Sequence, residues 1–166
     1  MFVLVIVIPR LFPVQTYATW CRWRYGAAPS ANGLVLTIAP APPGTEGEGP
    51  GPWLALELHN IEDQSTVVQL LDPPGDEWIF RVEDAQGRRL PPAGGPERQD
   101  PVRPLRQLTL PAGARTSLVV DLSRWVAMPP GPGQVRVVVT KMDFGAAVAL
   151  GDGHRCESQP LQVALP

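Results

Sequence analysis

The chain has 166 residues, 44% of them hydrophobic, and 14 basic against 16 acidic side chains leave a net charge of −2. That length fits one domain of about 100–150 residues with an N-terminal extension, and with no basic block tracking one face there is no electrostatic support for binding nucleic acid. The 21 prolines and 16 glycines suit many short strands joined by many turns.

The N-terminus, MFVLVIVIPRLFPVQTYATWC, opens on seven apolar residues, Phe2 to Ile8, before Pro9 and Arg10. A helix needs about 20 to cross a bilayer, so no transmembrane segment is expected. Residues 1–28 read as a leader: an export signal with Ala18 as the small residue before cleavage, or a disordered stretch, or a first β-strand rich in β-branched residues. Lipidation at Cys21 is excluded because the small residue a lipobox needs before the cysteine is Trp20. Cys21 and Cys156 form a candidate disulfide in an oxidising compartment, where closing so long a loop would stabilise by about 2–5 kcal/mol. The alternative is a pair of thiols, because spacing does not report proximity. With two Cys and two His at no ligand spacing, no zinc set is present in the sequence, and no cofactor is expected.

From Gly33 onward the apolar positions alternate. Strands are expected with Leu34, Leu36 and Ile38 inward, then Leu54, Leu56 and Leu58, then the nearly continuous run Thr66 to Leu71. Next come Trp78, Phe80 and Val82, closed by the turn Asp84-Ala85-Gln86-Gly87, then Leu105 to Leu110, then Leu118, Val120 and Leu122. Asp121 to Trp125 is expected to make a helical or 3₁₀ turn capped by Asp121 or Ser123. Val135, Val137 and Val139 point inward with Arg136 and Thr140 outward, and Leu161, Val163 and Leu165 make an eighth strand. Pro40 to Pro52 and Pro91 to Pro104 are surface loops. No helix-length periodicity is evident, so residues 29–166 read as an all-β, immunoglobulin-like antiparallel two-sheet sandwich of seven or eight strands.

Candidate chemistry is sparse. His59 faces outward beside Glu57 and close to Glu62 and Asp63, the pattern of a general base with a carboxylate orienter, although a solvated sheet face has the same pattern. Asp152-Gly153-His154-Arg155-Cys156-Glu157-Ser158 gathers reactive residue types, but neighbours in one loop seldom align as a catalytic set. Asp72, Asp76 and Glu77, or Glu62 and Asp63, offer oxygens for calcium without a D-x-D-x-D-G loop, and turn chemistry accounts for them. Trp78 is expected in the core, Trp53 and Trp125 at strand ends, and Trp20 and Trp23 in the leader. An indole left exposed at a sheet edge would suit contact with a peptide or carbohydrate.

The segments DEWIFRVEDAQGRRLPP, LTLPAGARTSLVVDLSRWVAMPPGPGQVRVVV, ESQPLQVAL and LALELHNIEDQSTVVQLL resemble a widespread bacterial immunoglobulin/fibronectin-III-like sandwich. In that family a Leu-x-Pro-x-Gly turn precedes a Val-Asp-Leu-Ser stop and a Pro-Gly-x-Tyr-x-Val strand, and a Leu-x-Asn strand end precedes a short loop. Similar sandwiches occur in the N-terminal domains of deuterolysin-type metalloproteases and in the intracellular proteinase inhibitors of bacilli. The resemblance spans about residues 33 to 166 and departs at Val135, where the family has an aromatic. It implies a non-enzymatic binding or accessory module with a protein or carbohydrate ligand, secreted, periplasmic or in the cell envelope, or cytoplasmic if the N-terminus is not a signal. The alternative it implies is a protease inhibitor or protease-associated domain presenting Pro91 to Pro104.

Overall fold

Residues 14–30, 32–45, 51–71, 77–93, 105–142 and 155–165 are described by a computed structural model. The chain enters as helix α1 (Val14–Tyr25). Pro13 precedes it and Gly26 follows, a start and a stop that favour a helix even without an apolar stripe. Gly26 adopts φ 80°, and its N–H donates to the Arg22 carbonyl at 3.0 Å, closing the last turn. This part of the expected leader is therefore helical rather than a strand or disordered, while Phe2 to Ile8 lie outside the described residues.

The rest is an all-β antiparallel sandwich. One sheet orders β1 (Leu34–Pro40), β2 (Trp53–Asn60) and β6 (Arg115–Asp121). The other centres on β7 (Gly133–Met142), with β4 (Trp78–Glu83) along one edge. Its remaining pairing comes from β8 (Arg155–Glu157) and β9 (Leu161–Leu165). A third ladder joins β3 (Thr66–Leu71) to β5 (Leu105–Leu110).

The inner faces follow the alternation. Leu34, Leu36, Leu54, Leu56 and Leu58 meet Trp78, Val82, Val135, Val137, Val139, Val163 and Leu165 in one core that also takes in Val68 and Leu110. Each such side chain contributes roughly 1.5–3 kcal/mol by leaving water. The Asp84 turn forms: Oδ1 accepts from the Gln86 and Arg88 amides, each at 2.9 Å, and Oδ2 pairs with Arg88 Nε at 2.8 Å. Leu122–Arg124 make a 3₁₀ turn in which Asp121 Oδ1 accepts from the Ser123 amide at 2.9 Å.

Two parts of the second sheet differ from the alternation. Residues Arg155–Glu157, expected in a loop, pair with β7 as β8. The ladder is continued at Val139 by Ser158, whose Oγ accepts from the Val139 amide at 3.0 Å and whose N–H donates to the Val139 carbonyl at 2.9 Å. A serine side chain thus substitutes for a backbone carbonyl across the break between β8 and β9. Thr140 and Val138, on the outward parity of β7, are buried, so that face is covered along the strand's centre.

Asn60 closes the end of β2. Its side chain is fully buried, and Nδ2 donates to the carbonyls of Gln64 at 2.7 Å, Leu110 at 3.0 Å and Pro111 at 3.0 Å. Its Oδ1 accepts from the Glu62 amide at 3.1 Å. One amide thereby ties the β2–β3 turn to the β5–β6 turn. Replacing it orphans buried carbonyls, each a cost of about 1–3 kcal/mol. Asn60→Ala is expected to lower unfolding free energy by roughly 2–4 kcal/mol in urea titrations. Asn60→Asp should be at least as damaging at neutral pH, because a carboxylate presents an acceptor to three acceptors; an Asp variant of wild-type stability would overturn the assignment.

Candidate functional site

Consecutive strands β5 and β6 would ordinarily pair as a hairpin. Here β5 pairs with β3 and β6 with β2, and the layers separate between them. The result is a cleft of about 350 Å³ lined by Leu56, Leu58, Leu70, Leu108 and Leu118, with Glu77, Trp78, Arg106, Thr116 and Ser117 supplying polar groups. Its size lies at the lower end of small-ligand sites.

The walls follow from register. Leu58 faces Thr116 and Leu56 faces Leu118 across β2 and β6, while Leu70 faces Arg106 and Val68 faces Leu108 across β3 and β5. Cross-strand partners share a face, so each ladder presents its apolar side to the gap, and exposed Arg106 stands at the end of the β5 wall.

Two buried polar residues adjoin this gap. Glu77 is fully buried; its Oε1 accepts from the Leu71 amide at 3.1 Å and its carbonyl from the Met142 amide at 2.7 Å, linking β3 to β7. Trp78 is 4% exposed and its indole Nε1 has no hydrogen-bond partner. A buried, unmatched N–H costs about 1–3 kcal/mol. Opposite Trp78 in the ladder is Lys141, the single lysine of the chain, 1% exposed. Alternation beyond Val139 assigns it to the inner face, a signal that the run of valines obscures. Trp78 was readable as core; the unmatched donor was not, because hydrogen-bond satisfaction is a property of the assembled neighbours.

The remaining candidates are dispersed. His59 sits on the outer face of β2, where its ring meets Tyr25 of α1 edge-on at 5.3 Å. Glu57 is engaged by Arg115 at 3.0 Å. Burial, followed by the Arg115 charge, holds the His59 pKa below its ordinary 6.5, opposed by Glu57 and by a hydrogen bond with the Gly113 backbone. Cys156 belongs to the core between the sheets, whereas Cys21, also buried, lies outside that cluster on α1. Asp72, Asp76, Asp152 and His154 lie outside the described residues. Glu62 and Asp63 occupy the β2–β3 turn, and among the described residues no three His, Cys, Asp or Glu side chains gather to hold a metal ion. Trp53 begins β2, Trp125 packs on Phe80 with ring centroids 4.8 Å apart, and Trp20 and Trp23 are exposed on α1.

Comparison with known proteins finds no family model that matches the chain and no matching curated protein.

A histidine whose folded pKa is depressed binds fewer protons folded than unfolded. Its stabilising share is therefore complete above pH 6.5 and is lost as pH falls through the lowered value. Urea midpoints measured at pH 7.5 and at mildly acidic pH should fall further for wild type than for His59→Gln. Equal falls in the two proteins would place the acid sensitivity elsewhere.

Proposed function

We propose that the chain is a non-enzymatic binding module of immunoglobulin-like type acting outside the cytoplasm. Its cleft between β5 and β6 takes an aliphatic group carrying a hydrogen-bond acceptor. The observation that carries this reading is the indole N–H of Trp78, buried without a partner beside a leucine-lined cavity. Leucine walls favour an alkyl chain over a sugar, which needs an open aromatic platform and many polar partners. Arg106 adds a guanidinium that suits a carboxylate at the entrance. Among the described residues that line the cleft, Thr116 and Ser117 bring hydroxyls. Export is supported by the apolar run Phe2 to Ile8 near the N-terminus. The alternative, inhibition of a protease through Pro91 to Pro104, concerns a loop of which residues 94–104 lie outside the described set. Its root is pinned, with the Ala93 N–H on the Trp125 carbonyl at 3.0 Å and the Ala127 N–H on the Pro91 carbonyl at 3.0 Å.

Titration with decanoate, followed by nitrogen-15 NMR of the indole N–H signals, tests the cleft. The Trp78 signal, assigned by its loss in Trp78→Phe, should move downfield and saturate with a dissociation constant of roughly 10–1000 µM. Leu118→Phe, which fills the cavity, should abolish the shift. A Trp78 signal that stays fixed while decanoate and decanol reach millimolar concentration would remove the reading.

A further inference from the structure

We infer that the outer face of α1 docks the protein onto an anionic lipid surface. This goes beyond the cleft and stands on separate observations. Trp23 is 80% exposed and Trp20 40% exposed, and Arg22 and Arg24, on the flanks of the helix to either side of Trp23, are exposed as well. The helix carries no acidic residue. An indole as exposed as that of Trp23, with part of the Trp20 ring beside it, is an apolar patch of the kind that marks an interaction site.

The helix holds that patch in place. Cys21 is fully buried, and the Tyr25 ring meets both Trp20 at 5.7 Å and His59 of β2 at 5.3 Å. Val35, paired with His59, is fully buried although alternation turns it away from the core, which marks where the helix covers the sheet. The indoles therefore project from a platform fixed to the sandwich, and ordering them on a surface costs little further entropy.

The chemistry selects the occupant. Indoles settle in the headgroup layer, where an apolar ring and a polar N–H are both satisfied. Guanidinium groups pair with phosphate oxygens, and each basic residue held near an anionic leaflet adds about 1 kcal/mol. Charge distribution agrees: the first 45 residues contain Arg10, Arg22 and Arg24 and no Asp or Glu. The nearby carboxylates are committed elsewhere. Glu157, which lines a groove with Arg22 and Arg155, bonds Arg155 at 2.7 Å and Thr140 at 3.3 Å, and Glu57 bonds Arg115.

Co-sedimentation of the full chain with phosphatidylglycerol/phosphatidylcholine vesicles, with pure phosphatidylcholine as control, tests the inference. Binding should need phosphatidylglycerol and weaken as salt rises. Trp23→Ala, at a site too exposed to disturb folding, should weaken partitioning about tenfold. Arg22→Gln/Arg24→Gln should weaken it about tenfold or more and flatten the salt dependence. Three results would overturn the inference: no binding by wild type, equal binding by Trp23→Ala, or a lipid-free dimer of wild type that Trp23→Ala converts to monomer.

Discussion

The amide of Asn60 decides how the layers of this sandwich meet. Its Nδ2 takes the carbonyls of Leu110 and Pro111 at the end of β5 while its own strand runs beside β6. Those two carbonyls lie where β5 turns toward β6, so the side chain holds the corner at which the hairpin opens. With the corner fixed, β5 pairs with β3, β6 pairs with β2, and the inner faces between them are left apart. Glu77 secures the far side of the same gap, with its side chain on the Leu71 amide and its carbonyl on the Met142 amide. The cleft is therefore bordered by two buried polar residues that tie strands across layers, each satisfied by backbone groups that would otherwise be orphaned.

How much of this is legible in the sequence follows from which forces act locally. Leu34 to Ile38, Leu54 to Leu58 and Val135 to Val139 alternate because a strand buries one face, and the period of two can be read directly. The Asp84 and Asp121 turns are equally readable, since each carboxylate caps amides two to four residues away. Helix α1 is not, because its apolar residues make no stripe and its signals are only the flanking Pro13 and Gly26. Strand β8 is too short to show a period, and it exists because β7 offers an unpaired edge and Ser158 supplies the missing acceptor. For the site, Trp78 is readable as core and Glu77 only as a turn carboxylate, since what brings them to the cleft is contact between distant strands, such as that of Asn60 with Leu110 and Pro111 about fifty residues away.

The two proposed surfaces occupy opposite margins of the first sheet. The order β1, β2, β6 puts the cleft beside β6, whereas Val35 and His59 place α1 over β1 and β2 on the outer side. A lipid surface met by Trp23 and a ligand entering between Leu108 and Leu118 would therefore not compete for space. His59 lies under the helix, in contact with Tyr25, so protonation of that ring acts on the seat of α1 and not on the cleft.

Trp78 shows why a core position can carry more than packing. Its ring fills volume that an apolar side chain of similar size would also fill, and such a side chain would carry no unsatisfied donor. An indole N–H kept dry and unmatched is a standing cost of about 1–3 kcal/mol, comparable to the gain from burying one leucine. That cost has a counterpart in binding, because a ligand acceptor meeting a donor already stripped of water gains a hydrogen bond without displacing another from the protein. The donor is held by the β4–β7 ladder, with Lys141 as its cross-strand partner, so little ordering remains to be done on association. In the proposed reading the leucines alone would accept any apolar group, and the indole would favour those that bring an acceptor.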